Sequence, residues 1–285
     1  LMKRTISLQE MLQESLQVIL DVSWLPIESR GSIFIMNAKS NELELVAHQG
    51  LAKPLLELCA KVPLGHCLCG QAAETKGIVF ADHIDDNHVT AFDGMTPHGH
   101  YCVPIILNNQ VLGVLNLYVT AGHAQKFREE SSLYMFTGIL ANMIENKLLE
   151  SKLIESEEKF SSLAYLAKDA IIMMDHKGDI SFWSRAAELM FGYSQQEAIG
   201  KDLHQLIAPD RYLELFNIGF KKFQETGQGK IIGDIREIVG LRRNGREFPL
   251  ELSVSGIRLN DQWQAVSVIR DITQRKRHEE REKFA

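Results

Sequence analysis

Between Glu129 and about Leu163 the chain has no proline and a single glycine, Gly138, while Leu140, Ile144, Leu148, Leu149 and Leu153 recur at helical spacing. A stretch of that length without a breaker predicts one continuous helix. A long helix near the middle of 285 residues divides the chain in two, and each side has the length of an ordinary domain. The domains are therefore drawn as 1–150 and 151–285. Apolar positions thin out toward Glu155-Ser156-Glu157-Glu158-Lys159, so the helix reads as a partly exposed, coiled-coil-like connector. A parallel homodimer is expected, held by Leu12, Leu16 and Ile19 of an opening helix over 6–22 and by Leu140, Ile144 and Leu148 of the connector.

Composition narrows the function classes. The chain is 45% hydrophobic and 24% charged, and no apolar run approaches the roughly 20 residues that cross a bilayer. Neither a leader nor a membrane insertion is read in this segment, so the cytoplasm is the expected compartment. The first 150 residues carry 10 Lys and Arg against 16 Asp and Glu, and the remainder 21 against 21. Neither half has the basic excess of a nucleic-acid binder. The last residues lie in the charged run Arg275-Lys276-Arg277-His278-Glu279-Glu280, and the chain is expected to be a piece of a longer protein.

The first half alternates helices and hairpins. Strands over 32–36 and 43–48 flank the turn Asn37–Asn41, short helices follow at 54–61 and 70–74, and strands over 101–107 and 111–119 enclose Asn108-Asn109-Gln110. Gly113 within the last strand predicts a close backbone approach or a bulge. The second half has strands over 170–175 and 180–183, then helices, with a capping box from Ser194 to Glu197. Three closing strands over 235–242, 246–257 and 262–271 follow, with Asn244-Gly245 as the turn between the first two. The fold class is mixed α/β of the α+β type: two domains, each an antiparallel sheet with flanking helices, joined by a long helix.

All four cysteines, Cys59, Cys67, Cys69 and Cys102, lie in the first half. Without a leader they read as reduced thiols. Two patches concentrate the chemistry, Gly65-His66-Cys67-Leu68-Cys69-Gly70 and His98-Gly99-His100-Tyr101-Cys102. In extended backbone Cys67 and Cys69 share one side, as do His98, His100 and Cys102. Those five residues are the candidate metal ligands, sufficient for zinc, iron or an iron–sulfur centre. The same residues also suit plain packing, with the cysteines as small apolar groups and the histidines hydrogen-bonded. His83 and His88 sit among Asp82, Asp85 and Asp86 and read as a solvated polar loop; His48, His123, His176, His204 and His278 read as structural.

The second half resembles a PAS domain in Asp175-x-x-Gly178-x-Ile180, Ala186-Ala187-Glu188-x-x-Phe191-Gly192-Tyr193, Glu197-Ala198-Ile199-Gly200, Arg242-Arg243-Asn244-Gly245 and Arg270-Asp271-Ile272-Thr273. It departs at Ser184, where many members place Asn. The first half is similar to a GAF domain, from its helix–hairpin opening through Gly65–Ala73 to Val103-Pro104-Ile105 and Gly113-Val114-Leu115. Both resemblances imply a small-molecule or cofactor pocket and the input side of a bacterial signalling protein. The output domain would follow this segment, as a histidine kinase or a diguanylate cyclase.

Gly65–Gly70 also resembles the Gly-x-Gly-x-Cys-Gly segment of GAF-type free methionine sulfoxide reductases, with Cys69 on the cysteine and Cys67 replacing the middle glycine. Those enzymes carry a further cysteine where residues 82–97 have none, so a thiol redox enzyme is the alternative. Ile231-Ile232-Gly233, Arg236 and Gly240 onward resemble the oxygen-sensing haem PAS domains of nitrogen-fixation kinases. That resemblance makes Arg236 the candidate cofactor-binding residue. Haem itself is not expected, because residues 210–225 offer no axial histidine and Glu214 stands nearest that position. The expected function is a sensory input module without catalysis of its own, which binds a small molecule, metal or redox cofactor and relays its state through the connector.

Overall fold

The computed structural model describes residues 6–84 and 88–283. The chain forms two compact units, Leu1–Leu153 and Ile154–Ala285.

Unit 1 opens with α1 (Leu8–Leu20), whose start is fixed by Ser7 and Glu10: each side chain accepts from the other's backbone N–H. Strands β1 (Gly31–Asn37) and β2 (Glu42–Gln49) follow, then α2 (Lys53–Leu58), β3 (Lys61–Pro63), α3 (Cys67–Thr75) and β4 (Val79–Ala81). The long hairpin β5 (His98–Leu107) and β6 (Gln110–Thr120) leads into α4 (Phe127–Leu166), a continuous helix of 40 residues. The six strands form one sheet in the order β3-β2-β1-β6-β5-β4. At Gly113, paired with Ile35 and Ile105, a Cβ would stand 2.0 Å from the Phe34 carbonyl oxygen. The register slips by one residue beside it, between Ile105 and Ile106.

Strand alternation sorts this sheet into two chemistries. Tyr101, Val103, Ile105, Leu115, Leu117 and Val119 face α1 and α4, packing with Leu12, Leu16, Ile19, Leu140 and Ile144. The opposite face carries His98, His100 and Cys102 from β5 and Asn116 and Tyr118 from β6, all buried. There α3 supplies Leu68, Cys69, Ala72 and Ala73. Two expectations are corrected. Cys67 and Cys69 lie on a helix rather than in extended backbone, because Leu68, Cys69, Ala72 and Ala73 form a helical stripe against the sheet. The stripes of α1 and of Leu140 and Ile144 cover the domain's own sheet, with Leu12, Leu16 and Ile144 fully buried, and are unavailable to a partner. Each such side chain stabilises the domain by roughly 1.5–3 kcal/mol.

Unit 2 takes the last part of α4, then β7 (Ala170–Met174), β8 (Ile180–Trp183), α5 (Arg185–Phe191), α6 (Gln195–Ala198), α7 (Leu203–Ile207), a 3₁₀ turn over Asp210–Tyr212 and α8 (Leu213–Thr226). Strands β9 (Ile235–Leu241), β10 (Glu247–Leu259) and β11 (Gln262–Asp271) complete a sheet in the order β8-β7-β11-β10-β9, and α9 (Thr273–Lys283) follows. The helices pack their apolar sides on that sheet around Trp183, Phe191, Phe223 and Phe248. The capping box stands at Ser194 and Glu197. Ser184 caps α5, its hydroxyl accepting from the N–H groups of Ala187 and Ile171, so serine supplies the acceptor an asparagine would.

Candidate functional site

The polar face of β5 in unit 1 gathers the chemistry. His100 stands opposite Tyr118 and Cys102 opposite Asn116 on β6. Gly99 between the two histidines lets β4 close in, since a Cβ there would lie 2.4 Å from the Ala81 carbonyl oxygen. A third imidazole, His88, arrives from the segment between β4 and β5. Its Nε2 lies 3.0 Å from His100 Nε2, and the two rings stack with centroids 5.0 Å apart. One ligand atom from each of His88, His98 and His100 lies within 4.8 Å of the others, and all three residues are buried.

Their outer nitrogens are tied down. His98 Nδ1–H donates to the Thr96 carbonyl at 2.6 Å, and His100 Nδ1–H to Asn116 Oδ1 at 2.9 Å. Asn116 in turn donates to Ser32 Oγ at 3.3 Å and accepts from the Cys102 thiol at 3.5 Å. Because both acceptors lack a proton to give, each imidazole is held as the tautomer whose Nε2 carries a lone pair. Burial pushes the His100 pKa down to about 3, helped by His98 and His88, and burial likewise lowers that of His98. Both rings are neutral near pH 7.

The thiols complete the wall. Cys69 and Cys102 place their sulfurs 3.6 Å apart. Cys59, Cys67, Cys69 and Cys102 all line a cavity of about 30 Å³ together with His88 and His100. A second cavity of about 200 Å³ adjoins it through Leu51, Leu55 and Tyr118, and is lined by Arg30 and His98. The hydrogen bond to Cys102, together with burial, raises the Cys69 pKa well above the ordinary thiol value, and burial pushes Cys59 up to about 12. These are thiols rather than thiolates.

His98, His100, Cys69 and Cys102 thus converge, and Cys67 stands half-buried on the same wall with φ +54° at the start of α3. His88 is the residue the sequence hides. Its neighbours Asp85 and Asp86 lie outside the described residues, His83 is exposed beside Asp82, and the loop has no periodicity that would mark one member as buried. Arg236, on β9, is half-exposed, pairs with Asp234 at 2.8 Å and donates to the Lys230 carbonyl. It lines neither cavity.

On the other face of β5, Tyr101 donates to Glu129 Oε2 at 3.1 Å. Glu129 is buried in the first turn of α4.

Residues 5–143 match the GAF domain and residues 158–272 the PAS fold. The sensor protein FixL of Bradyrhizobium diazoefficiens is 32% identical over 139 residues, 48% of this chain and 27% of that protein. The cell-division control histidine kinase PdhS of Brucella ovis is 29% identical over 140 residues, 49% of this chain and 13% of that protein. The chain therefore spans about a quarter or less of the length of these relatives. A GAF domain from a phosphoenolpyruvate-protein phosphotransferase of Coxiella burnetii superposes with a TM-score of 0.45 at 21% identity, over 52% of this chain and 89% of that one. No described helix is long and apolar enough to cross a membrane. By these matches the chain belongs to the GAF and PAS families, a GAF domain followed by a PAS domain, related to sensor histidine kinases.

Proposed function

We propose that this chain is the sensory input region of a cytoplasmic two-component protein, with no catalysis of its own, and that the GAF cavity is where it senses. The carrying observation is the position of β5. One face lines a buried wall of thiols and imidazoles, and the other is bonded through Tyr101 to the first turn of α4. A small molecule, a metal ion or a thiol oxidation in the cavity displaces β5, and α4 carries that displacement toward a C-terminal output domain, a histidine kinase by the company of its relatives or a diguanylate cyclase. Pairing of two copies in parallel keeps both outputs at one end. The exposed apolar residues Met135, Ile139, Leu149 and Leu153 of α4 suit such a seam. The raised Cys69 pKa weighs against the methionine sulfoxide reductase alternative, which needs a thiolate nucleophile.

Hydrogen–deuterium exchange of the whole chain tests the relay, comparing protein that is reduced and metal-free, loaded with zinc, or treated with peroxide. At least one condition is expected to change exchange both on β5 and across residues 127–140. Exchange in α4 that is identical in all three conditions would overturn the reading.

A further inference from the structure

We propose that His88, His98 and His100 bind one divalent transition-metal ion of the imidazole-preferring class, zinc foremost, through their three Nε2 atoms, with Cys69 and Cys102 outside its coordination sphere. The biological meaning of such an ion rests on the sensory reading above; the site itself does not.

The two imidazoles of β5 already carry the outer contacts that a metal ligand needs. An imidazole that ligates a metal nearly always donates its other N–H to a carbonyl or a carboxylate, which fixes both its tautomer and its orientation. His98 does this to the Thr96 carbonyl and His100 to the Asn116 side-chain carbonyl. Both Nε2 lone pairs are thereby presented inward. Tetrahedral zinc with Zn–N bonds of 2.0–2.1 Å holds its ligand nitrogens about 3.3 Å apart. His88 and His100 already stand at 3.0 Å.

One of the imidazole nitrogens is also an orphan. His98 Nε2 is buried and has no hydrogen-bond partner among the described residues. An unmatched buried polar atom costs on the order of 1–3 kcal/mol, and a metal ion supplies the missing partner. Three imidazoles from two separate stretches, all buried and within 4.8 Å at their ligand atoms, make a set that a domain built for packing alone has no reason to assemble.

The thiols are directed elsewhere. The Cys102 thiol donates to Asn116 Oδ1 and the Cys69 thiol meets Cys102, so their hydrogens close a chain that ends on the same Asn116 that orients His100. They buttress a ligand and do not ligate. Beside His88 and His100 the cavity of about 30 Å³ has room for one water molecule, which completes four-coordination and leaves an exchangeable position.

Anaerobic titration of the metal-free 285-residue chain with cobalt(II) tests this. We expect one equivalent taken up with tetrahedral visible bands, no intense sulfur-to-cobalt charge-transfer band, and displacement by zinc. His88→Gln and His98→Asn should each weaken binding by roughly 100-fold or more, beyond the 10- to 100-fold typical for loss of an outer contact, whereas Cys69→Ser, an outer contact that keeps a donor, should cost no more than about 10-fold. X-ray absorption of the zinc-loaded parent gives the same answer without a variant, as nitrogen scatterers with imidazole multiple scattering and no sulfur. Failure to bind, a sulfur signature, or unchanged affinity in a folded His88→Gln protein would each overturn the proposal. The sensory reading fails separately: an ion bound as described with no change in α4 exchange leaves the site standing and removes the relay, whereas no ion but a peroxide-dependent change in α4 does the reverse.

Discussion

Tyr101 donates its hydroxyl to Glu129 Oε2 across 3.1 Å, and that one bond joins the strand bearing His100 and Cys102 to the first turn of the 40-residue α4. Because Tyr101 lies between those two residues in sequence, its side chain leaves the opposite face of the strand. Glu129 also accepts from His123 at 2.7 Å and Lys126 at 3.2 Å. Tyr101→Phe removes a donor to a buried charged acceptor. It is expected to lower the stability of the GAF domain by about 1.5–3 kcal/mol in urea denaturation, and to abolish the exchange response of α4 while the cavity still fills. A full α4 response in the variant would place the relay elsewhere.

Glu129 itself gives a pH signature. Burial, the largest influence, raises its pKa, but the hydrogen bonds from His123, Lys126 and Tyr101 together outweigh it and hold the carboxyl below 4.5. A carboxyl with its folded value below its unfolded value binds fewer protons in the folded state. Its contribution is therefore present above about pH 4.5 and is lost as pH falls through the folded value. Glu129→Gln should flatten that acid limb when stability is followed from about pH 6 to 3. An unchanged slope would mean that the charge contributes nothing.

Much of this was legible in the sequence wherever the signal is local. The Ser194–Glu197 capping box, the close approach at Gly113 and the alternation of His98, His100 and Cys102 each depend on a few neighbouring residues, and each stands as read. The Cys67–Cys69 segment misleads because two residues are too few to separate the period of a strand from that of a helix; Ala72 and Ala73, further on, decide it. His88 is buried by contacts with a strand ten residues away, which no local pattern encodes. Leu12 and Ile144 teach a different lesson. An apolar stripe states that something covers it, but not whether the cover is its own sheet or a second chain.

That distinction moves the dimer prediction along α4. Ile144 is fully buried in the GAF core, whereas Leu149 and Leu153 are more than half exposed. Ile144→Glu buries an unpaired charge and should destabilise or unfold the domain. The double change Leu149→Glu with Leu153→Glu should leave the melting temperature within about 2–4 °C, as surface substitutions do in a chain of this size, and convert a dimer to a monomer in light scattering. A parent that is monomeric at micromolar concentration, or a double variant that stays dimeric, would remove this seam.

Haem addition should give no Soret band characteristic of axial coordination. The described α8, Leu213–Thr226, contains no histidine, and Glu214 at its start is exposed. The core of the domain holds packed aromatic rings, with Trp183 and Phe248 each 5.6 Å from Phe191 between ring centroids. A tight one-to-one complex would require those rings to separate and another residue to ligate, and would overturn this expectation.

His204, on α7, gives the PAS domain a pH dependence above the carboxylate range. Its ring stacks on Phe216 of α8, and Nδ1 is buried without a partner among the described residues. Burial pushes its pKa down to about 4 from the ordinary 6.5, with Asp202 acting weakly in the other direction. The unfolded chain therefore takes up a proton near pH 6.5 that the folded domain refuses until about 4. Stability is full above pH 6.5 and falls through that interval by up to about 3 kcal/mol. His204→Leu should remove this loss while keeping the contact with Phe216, so that denaturation at pH 7 and at pH 4.5 gives nearly equal stabilities for the PAS transition. Proton NMR reads the cause directly: the His204 ring should stay neutral at pH 5. A midpoint near 6.5, or the same acid loss in the leucine variant, would show that the ring is solvated and that α7 and α8 do not close over it.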